Sequence, residues 1–350
     1  MKRQSMIDYG KPLEETSAAM PEPQGTEVVV AVRHCGVCHS DLHLHEGHFE
    51  LGNGRTLDVK GGRALPFTLG HEIEGSVAAI GPEVEGVSIG DHYVIYPFIG
   101  CNDCPACRAG EEHICDRPQQ IGIQVDGGYA THVVVPHPRY LLAADGIPPE
   151  IAGTYMCSGL TAFSAMERLG REAARGPLLI VGLGGVGMMG VSFARALYGT
   201  APYVADIDPA KREAAMAAGA AAAFDPSAPD SRKAFLKATG GIYGSVDFAG
   251  AEGSLNFAQS VVLKGGTVVV AGLIGGSFSL PIPMFPLRAI TIAGSYAGTL
   301  DQARRMLDLV RGGHVEAIPV TLRALSDANA CLDELRAGKV SGRLVLTVGE

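Results

Sequence analysis

The sequence predicts an α/β protein of two unlike parts, a β-rich domain and a doubly wound parallel-sheet domain. Two observations carry this. Up to about residue 155, short apolar runs of strand length are punctuated densely by Gly and Pro. From Pro177 onward, strand-like apolar runs alternate with helical stretches, as in a parallel sheet with crossover helices. The 350 residues fit two domains, and an apolar content of 47% supplies a core.

In the first part the apolar runs 28–32, 75–80, 93–96 and 129–135 predict strands; Gly81-Pro82 and Gly127-Gly128 break the chain beside them. In the second part, 178–181 predicts a buried strand and 186–198 a helix. A strand at 203–205 follows, then a helix at 209–218, with Asp208 as its N-cap and Pro209 at its first position. Further elements are predicted as a helix at 231–238, a strand at 246–249, a helix at 254–263 and a strand at 267–271. The tail adds helices at 300–310 and 327–336 and a strand at 344–348.

Charge and hydropathy exclude several function classes. The net charge is −9 with no basic run, which argues against nucleic acid and anionic membranes as partners. Residues 177–194 carry no charge but contain five glycines, which fits a strand, a turn and a buried helix better than a membrane span. The N-terminal residues show no apolar stretch of signal-peptide length, so a reducing, cytoplasmic location is expected. There the eight cysteines are metal ligands or core residues rather than disulfides.

Three motifs carry chemistry. Gly182-Leu183-Gly184-Gly185-Val186-Gly187 follows an apolar strand and opens a helix. This is the dinucleotide loop in its required context: a tight turn, a bare backbone for the pyrophosphate, and close helix–strand packing. Asp206 stands where an acid binds the adenosine ribose, and its carboxylate favours NAD over NADP. Cys101, Cys104, Cys107 and Cys115 are spaced C-x2-C-x2-C-x7-C, which can wrap one tetrahedral ion with no open position. That predicts a structural zinc rather than an iron–sulfur cluster, whose fourth cysteine usually falls elsewhere. Cys38-His39-Ser40-Asp41-Leu42-His43, Gly70-His71-Glu72 and the isolated Cys157 form a third, dispersed set. From spacing alone, a shared metal and ordinary core roles for His71 and Cys157 stand about even.

Taken together, eight landmarks in order resemble the zinc-dependent medium-chain alcohol dehydrogenases. They are residues 36–43, Gly70-His71-Glu72, the four-cysteine lobe, Cys157 with Thr161, the glycine loop, Asp206 with Lys211, Gly294-Ser295-Tyr296, and Gly342-Arg343. The likeness is nearer the yeast and bacterial tetrameric branch than the dimeric liver branch. It implies a GroES-like catalytic domain at 1–157 and 295–350 and a Rossmann cofactor domain at 158–294. It also implies a catalytic zinc on Cys38, His71 and Cys157, making two zinc ions per chain. Glu72 then lies behind the zinc, Asp41 orients His71, and Ser40 and His43 relay the proton. His39 and Arg343 contact the pyrophosphate, Lys211 the ribose, and Thr161 lies near the nicotinamide. The activity implied is NAD-dependent interconversion of alcohols with aldehydes or ketones, in a homotetramer or dimer.

The sequence also departs from that pattern. Residues 50–65 lengthen the chain between Cys38 and His71 and are expected near the cleft mouth. Phe49 stands where the yeast type carries a pocket tryptophan, with Tyr96 or Phe98 near a second such position, and the chain has no Trp. A pocket for alcohols larger than ethanol, secondary or aryl, is the expectation. The alternatives are an NADP-dependent aldehyde or cinnamyl-type reductase, a glutathione-adduct formaldehyde dehydrogenase, or a catalytically silent dinucleotide-binding protein. Asp206 opposes the first, and the retained cysteines and histidine oppose the last.

Overall fold

A computed structural model describes residues 1–349. Two large sheets organise the chain. The first follows the strand order Leu141–Leu142, His92–Ile95, Glu72–Ile80, Val28–Val37, Arg343–Thr347, Val320–Ala324, with His132–Val135 also on Val28–Val37. Its pairings are antiparallel except the last, where Val320–Ala324 runs parallel to Arg343–Thr347. The chain therefore leaves this sheet, builds the second, and returns to add two strands.

The second sheet is wholly parallel, in the order Ala222–Phe224, Tyr203–Ala205, Leu178–Val181, Ile242–Asp247, Val262–Val270, Thr291–Gly294. Strand order reverses between Leu178–Val181 and Ile242–Asp247, the switch point where an open α/β sheet binds ligands. Both faces of this sheet are covered. Leu178 and Ile180 join the core shared with the first sheet, whereas Leu179 and Val181 join a separate cluster with Phe235, Phe257 and Val268. A continuous apolar run is the sequence consequence of burial on both faces.

Several boundaries differ from expectation, and two of them have a local side-chain cause. The strand expected at 246–249 is Ile242–Asp247. It ends there because Asp247 Oδ1 accepts from Ala249 N (2.9 Å) and Gly250 N (3.0 Å), turning the chain off the sheet. The helix expected at 254–263 is Glu252–Val261. Ser254 Oγ accepts from Ala251 N at 3.0 Å and caps it early, while Val262 pairs with Ile242 and begins the next strand. The added segment at 50–65 contributes to an antiparallel hairpin of His48–Gly52 and Arg55–Asp58. Its turn residues Asn53 and Gly54 both have positive φ, 55° and 71°. Asn-Gly is the residue pair that favours this turn. No helix among the described residues is long and apolar enough to cross a membrane.

Candidate active site and metal centres

A cleft of about 530 Å³ opens at the switch point, between the two sheets. Its cofactor side is the turn after Leu178–Val181. Gly182 has φ +83°, and a Cβ there would meet Ala249 N at 2.6 Å. A Cβ on Gly187 would meet Gly182 O at 1.8 Å, so the helix Gly185–Tyr198 approaches the strand only because that residue is bare. Gly184, by contrast, faces open space. These constraints are the ones a pyrophosphate-binding turn imposes. Asp206 lies in the cleft beyond the strand Tyr203–Ala205. Its Oδ2 accepts from Leu183 N at 2.7 Å and its Oδ1 from Asp208 N at 2.9 Å, tying the acid to the glycine loop. Asp208 itself caps the next helix, accepting from Ala210 N at 2.9 Å. His39, Thr161, Val186, Lys211 and Arg343 line the same cleft.

The catalytic side is assembled from three distant segments. Cys38 ends the strand Val28–Val37 and begins the helix His39–Glu46. His71 precedes the strand Glu72–Ile80, and Cys157 precedes the helix Ser158–Arg168. Cys38 Sγ lies 3.9 Å from Cys157 Sγ, and His71 Nε2 lies 3.2 Å from Cys157 Sγ. Zinc with tetrahedral bonds of ordinary length would set about 3.8 Å between two sulfurs and about 3.5 Å between sulfur and nitrogen. The donor set therefore fits zinc, and Ser40, His43 and Phe98 share the cleft with it. The Cys38 thiol is held well below its ordinary value by hydrogen bonding from Cys157 and by His71.

Behind the donors lies a buried polar layer. Asp41 Oδ1 is 3.1 Å from His71 Nδ1, leaving Nε2 to face the thiols. Asp41 Oδ2 accepts from Cys38 N (2.9 Å) and Tyr129 Oη (3.0 Å), so this fully buried carboxylate has three partners. Glu72 is also fully buried. Burial pushes its carboxyl up, opposed by Arg343. It pairs with the Arg343 guanidinium, and Ser158 Oγ donates to Oε1 at 2.5 Å. Among the described residues Arg343 Nε is buried with no hydrogen-bond partner, and the side chain runs beside Gly185, where a phosphate oxygen would satisfy it.

Cys101, Cys104, Cys107 and Cys115 lie with all four sulfurs within 4.8 Å of one another. Cys104 Sγ is 3.8 Å from Cys115 Sγ, again a tetrahedral edge. Backbone amides point at the sulfurs: Cys101 N at Cys115 Sγ (3.2 Å), Cys104 N at Cys101 Sγ (3.4 Å), Arg117 N at Cys115 Sγ (3.3 Å). Amide donation from Asp103 and Cys104 lowers the Cys101 thiol to about 6, while burial raises Cys107 to about 12.

Two pocket residues named from sequence do not line the cleft. Tyr96 is fully buried, with its hydroxyl donating to Gly298 O at 2.7 Å. Phe49 lies on the hairpin and packs against His43, ring centroids 4.5 Å apart. The cleft wall instead includes Ile123, Leu273, Ile274 and Tyr296, which packs edge-on against Phe98 at 6.0 Å. These residues, with Tyr129 and Ser158, received no site role from sequence. Ser158 had a usable signal in its adjacency to Cys157; Tyr129 had none.

Residues 24–145 match the alcohol dehydrogenase GroES-like domain, and residues 185–312 match the zinc-binding dehydrogenase domain. An NAD-dependent alcohol dehydrogenase of Saccharolobus solfataricus is 34% identical, covering 99% of both chains. The crystal structure of the alcohol dehydrogenase from Aeropyrum pernix is 27% identical with a TM-score of 0.89, over 99% of this chain and 100% of that one. An acetophenone reductase from Geotrichum candidum, solved with NAD, is 26% identical with a TM-score of 0.85, covering 99% and 97%.

Proposed function

The chain belongs to the zinc-dependent medium-chain alcohol dehydrogenases, and we propose from that premise that its cleft oxidises alcohols with NAD, reversibly. The observation carrying this is that the Cys38–His71–Cys157 donors and the glycine turn open into one cleft of about 530 Å³. A metal Lewis acid and a dinucleotide held face to face are what hydride transfer from an alcohol requires. Zinc on Cys38, His71 and Cys157 supplies Lewis acidity toward the substrate oxygen, and NAD supplies the hydride acceptor.

The chain's own residues do the rest. Asp41 fixes the tautomer and angle of His71. Ser40 Oγ takes the hydroxyl proton and passes it toward the His43 imidazole, both groups lining the cleft. Arg343 and the bare Gly184 backbone take the pyrophosphate, with His39 a further contact; Lys211 reaches the ribose and Thr161 the nicotinamide. Asp206 accepts from the ribose hydroxyls and repels a 2′-phosphate. A second zinc occupies the four-cysteine lobe as a structural ion, supported by the tetrahedral sulfur spacing. The catalytic domain comprises 1–157 and 295–350 and the cofactor domain 158–294, supported by the two return strands of the first sheet.

A homo-oligomer, tetramer or dimer, is supported by an unpaired edge. Thr291–Gly294 ends the parallel sheet, and exposed Ile282 and Leu287 lie in the segment before it. Free cysteines support a reducing, cytoplasmic setting. The mostly apolar wall formed by Phe98, Ile123, Leu273 and Tyr296 supports secondary or aryl alcohols over ethanol. Initial rates with ethanol, hexan-1-ol, a secondary and a benzylic alcohol, each with NAD and NADP, test the reading. NAD is expected to be preferred and ethanol to be the poorest substrate. Asp206→Gly is expected to raise kcat/KM with NADP relative to NAD by about tenfold or more, about 1.4 kcal/mol. A wild type that prefers NADP would sink the cofactor assignment.

A further inference from the structure

The ring of His43, the imidazole of the proposed proton relay, is fixed by packing alone. Among the described residues its imidazole makes no hydrogen bond, unlike His71, which Asp41 fixes. Its backbone is set by the helix His39–Glu46, but the ring could still turn about its side-chain bonds. Two rings limit it. The His39 centroid is 5.9 Å away, tilted by 53°; the Phe49 centroid is 4.5 Å away, tilted by 35°. Phe49 is the nearer and more nearly parallel neighbour, at an offset-stacking distance.

Phe49 is itself fixed from the cofactor side. Its strand, His48–Gly52, is clasped to the loop at residues 275–277: Gly276 N donates to Glu50 O at 3.1 Å, and Asn53 Nδ2 donates to Ser277 Oγ at 3.2 Å. The approach is so close that a Cβ on Gly52 would meet Ser277 N at 2.8 Å. That loop continues from Leu273 and Ile274 in the cleft wall, where Ile274 N donates to Ala249 O at 3.1 Å. The hairpin therefore spans from relay histidine to cofactor loop.

We propose that Phe49, carried by this clasped hairpin, is a positioning residue that holds the His43 ring in its relay orientation rather than a wall of the substrate pocket. The proposal rests on the reading of His43 as proton carrier. Burial keeps the His43 imidazole below its ordinary value, and His39 adds to this. Glu46 and Cys38 oppose it, while His48 on the hairpin, paired with Glu50 at 3.2 Å, reinforces it. The ring thus stays a neutral acceptor to lower pH. Removing the Phe49 ring rehydrates one face of His43, so its titration moves upward and the acid limb of kcat moves with it.

Phe49→Leu, Phe49→Tyr and His43→Gln in the zinc-loaded enzyme test this. Phe49→Leu is expected to lower kcat about tenfold, because a misaimed relay group loses its geometric advantage. KM for NAD should not change. The His43 imidazole, followed by NMR through its ring carbons, should titrate at higher pH. Phe49→Tyr keeps the ring and should behave as wild type; Phe49→Met repeats the test should Leu disturb folding. If Phe49→Leu leaves kcat and the His43 titration unchanged, or changes only KM according to alcohol size, Phe49 is a pocket wall and the proposal falls. If His43→Gln leaves kcat and its acid limb unchanged, the relay reading fails and takes the proposal with it. A costly His43→Gln beside an inert Phe49→Leu isolates the failure to Phe49.

Discussion

The two cysteine centres are built by opposite strategies. The lobe draws four sulfurs from residues 101–115, and they are met by amides of the same short loop. The cleft centre draws Cys38, His71 and Cys157 from three separate elements, and its support comes from buried side chains: Asp41, Tyr129, Glu72, Arg343 and Ser158. A local site is specified by loop geometry and can fold around its ion with little help from the domain. A dispersed site exists only when two strands of the first sheet and the helix Ser158–Arg168 are packed together, so its chemistry and the stability of the fold are linked. On the proposed reading the lobe would commit all four donors to a structural ion, whereas the three donors of the cleft would leave one position for substrate.

Four perturbations test that contrast, beginning with the strongest. Cys157→Ala removes one of three donors that nothing local replaces. It should lower kcat/KM by about a thousandfold or more, since the Lewis acid supplies several kcal/mol of stabilisation. Metal analysis should find one zinc fewer per chain; full activity with one zinc fewer would mean the wrong centre is called catalytic. Arg343→Met comes next. It strands Glu72, a fully buried carboxylate, without its cation. Breaking such a pair costs about 3–5 kcal/mol, so the thermal midpoint should fall markedly. An unchanged midpoint would break the claimed link between site and fold.

Asp41→Asn keeps the volume but weakens the charge-assisted hold on His71. Loss of such a partner typically costs about 10–100-fold in metal affinity or activity. Competition against a chelator should show the cleft metal leaving faster while the lobe metal stays; equal release from both would contradict separate support. The smallest effect on chemistry is expected from Cys104→Ser. It should empty the lobe and lower thermal resistance, yet leave kcat at low temperature within about threefold, because a structural ion contributes to folding rather than to the reaction. A collapse of kcat in a folded, cleft-loaded protein would show that the lobe acts on the active site.

The contrast also explains what could be read in advance. The clustering of the lobe's four sulfurs was legible, because four cysteines within fifteen positions carry their geometry in their spacing. The glycine turn was legible for the same reason: strand, turn, helix and Asp206 follow one another within one unit. The hairpin at residues 48–58 has its own local signal in Asn53-Gly54, the pair that favours a tight hairpin turn. For the dispersed centre, spacing left the metal undecided and only the resemblance assigned it. Asp247 ended its strand early through side-chain bonds to Ala249 and Gly250, a competition between side chain and sheet that no apolar pattern records.

By itself the sequence determined the alternation of strands and helices, the acid beside the glycine turn and the four-sulfur lobe, because each depends on residues near in the chain. Only the tertiary structure decided that Phe49 packs against His43, that the Tyr96 hydroxyl is taken by Gly298, and that Tyr129 steadies the carboxylate behind His71. It also decided that the hairpin's clasp falls on the loop at 275–277. Phe49 and His43 are neighbours in the chain, brought together by the helix end and the hairpin start. The other contacts join residues tens to hundreds of positions apart, where side-chain partners follow from how the sheets pack. Periodicity states which face of an element is buried, not what it meets there.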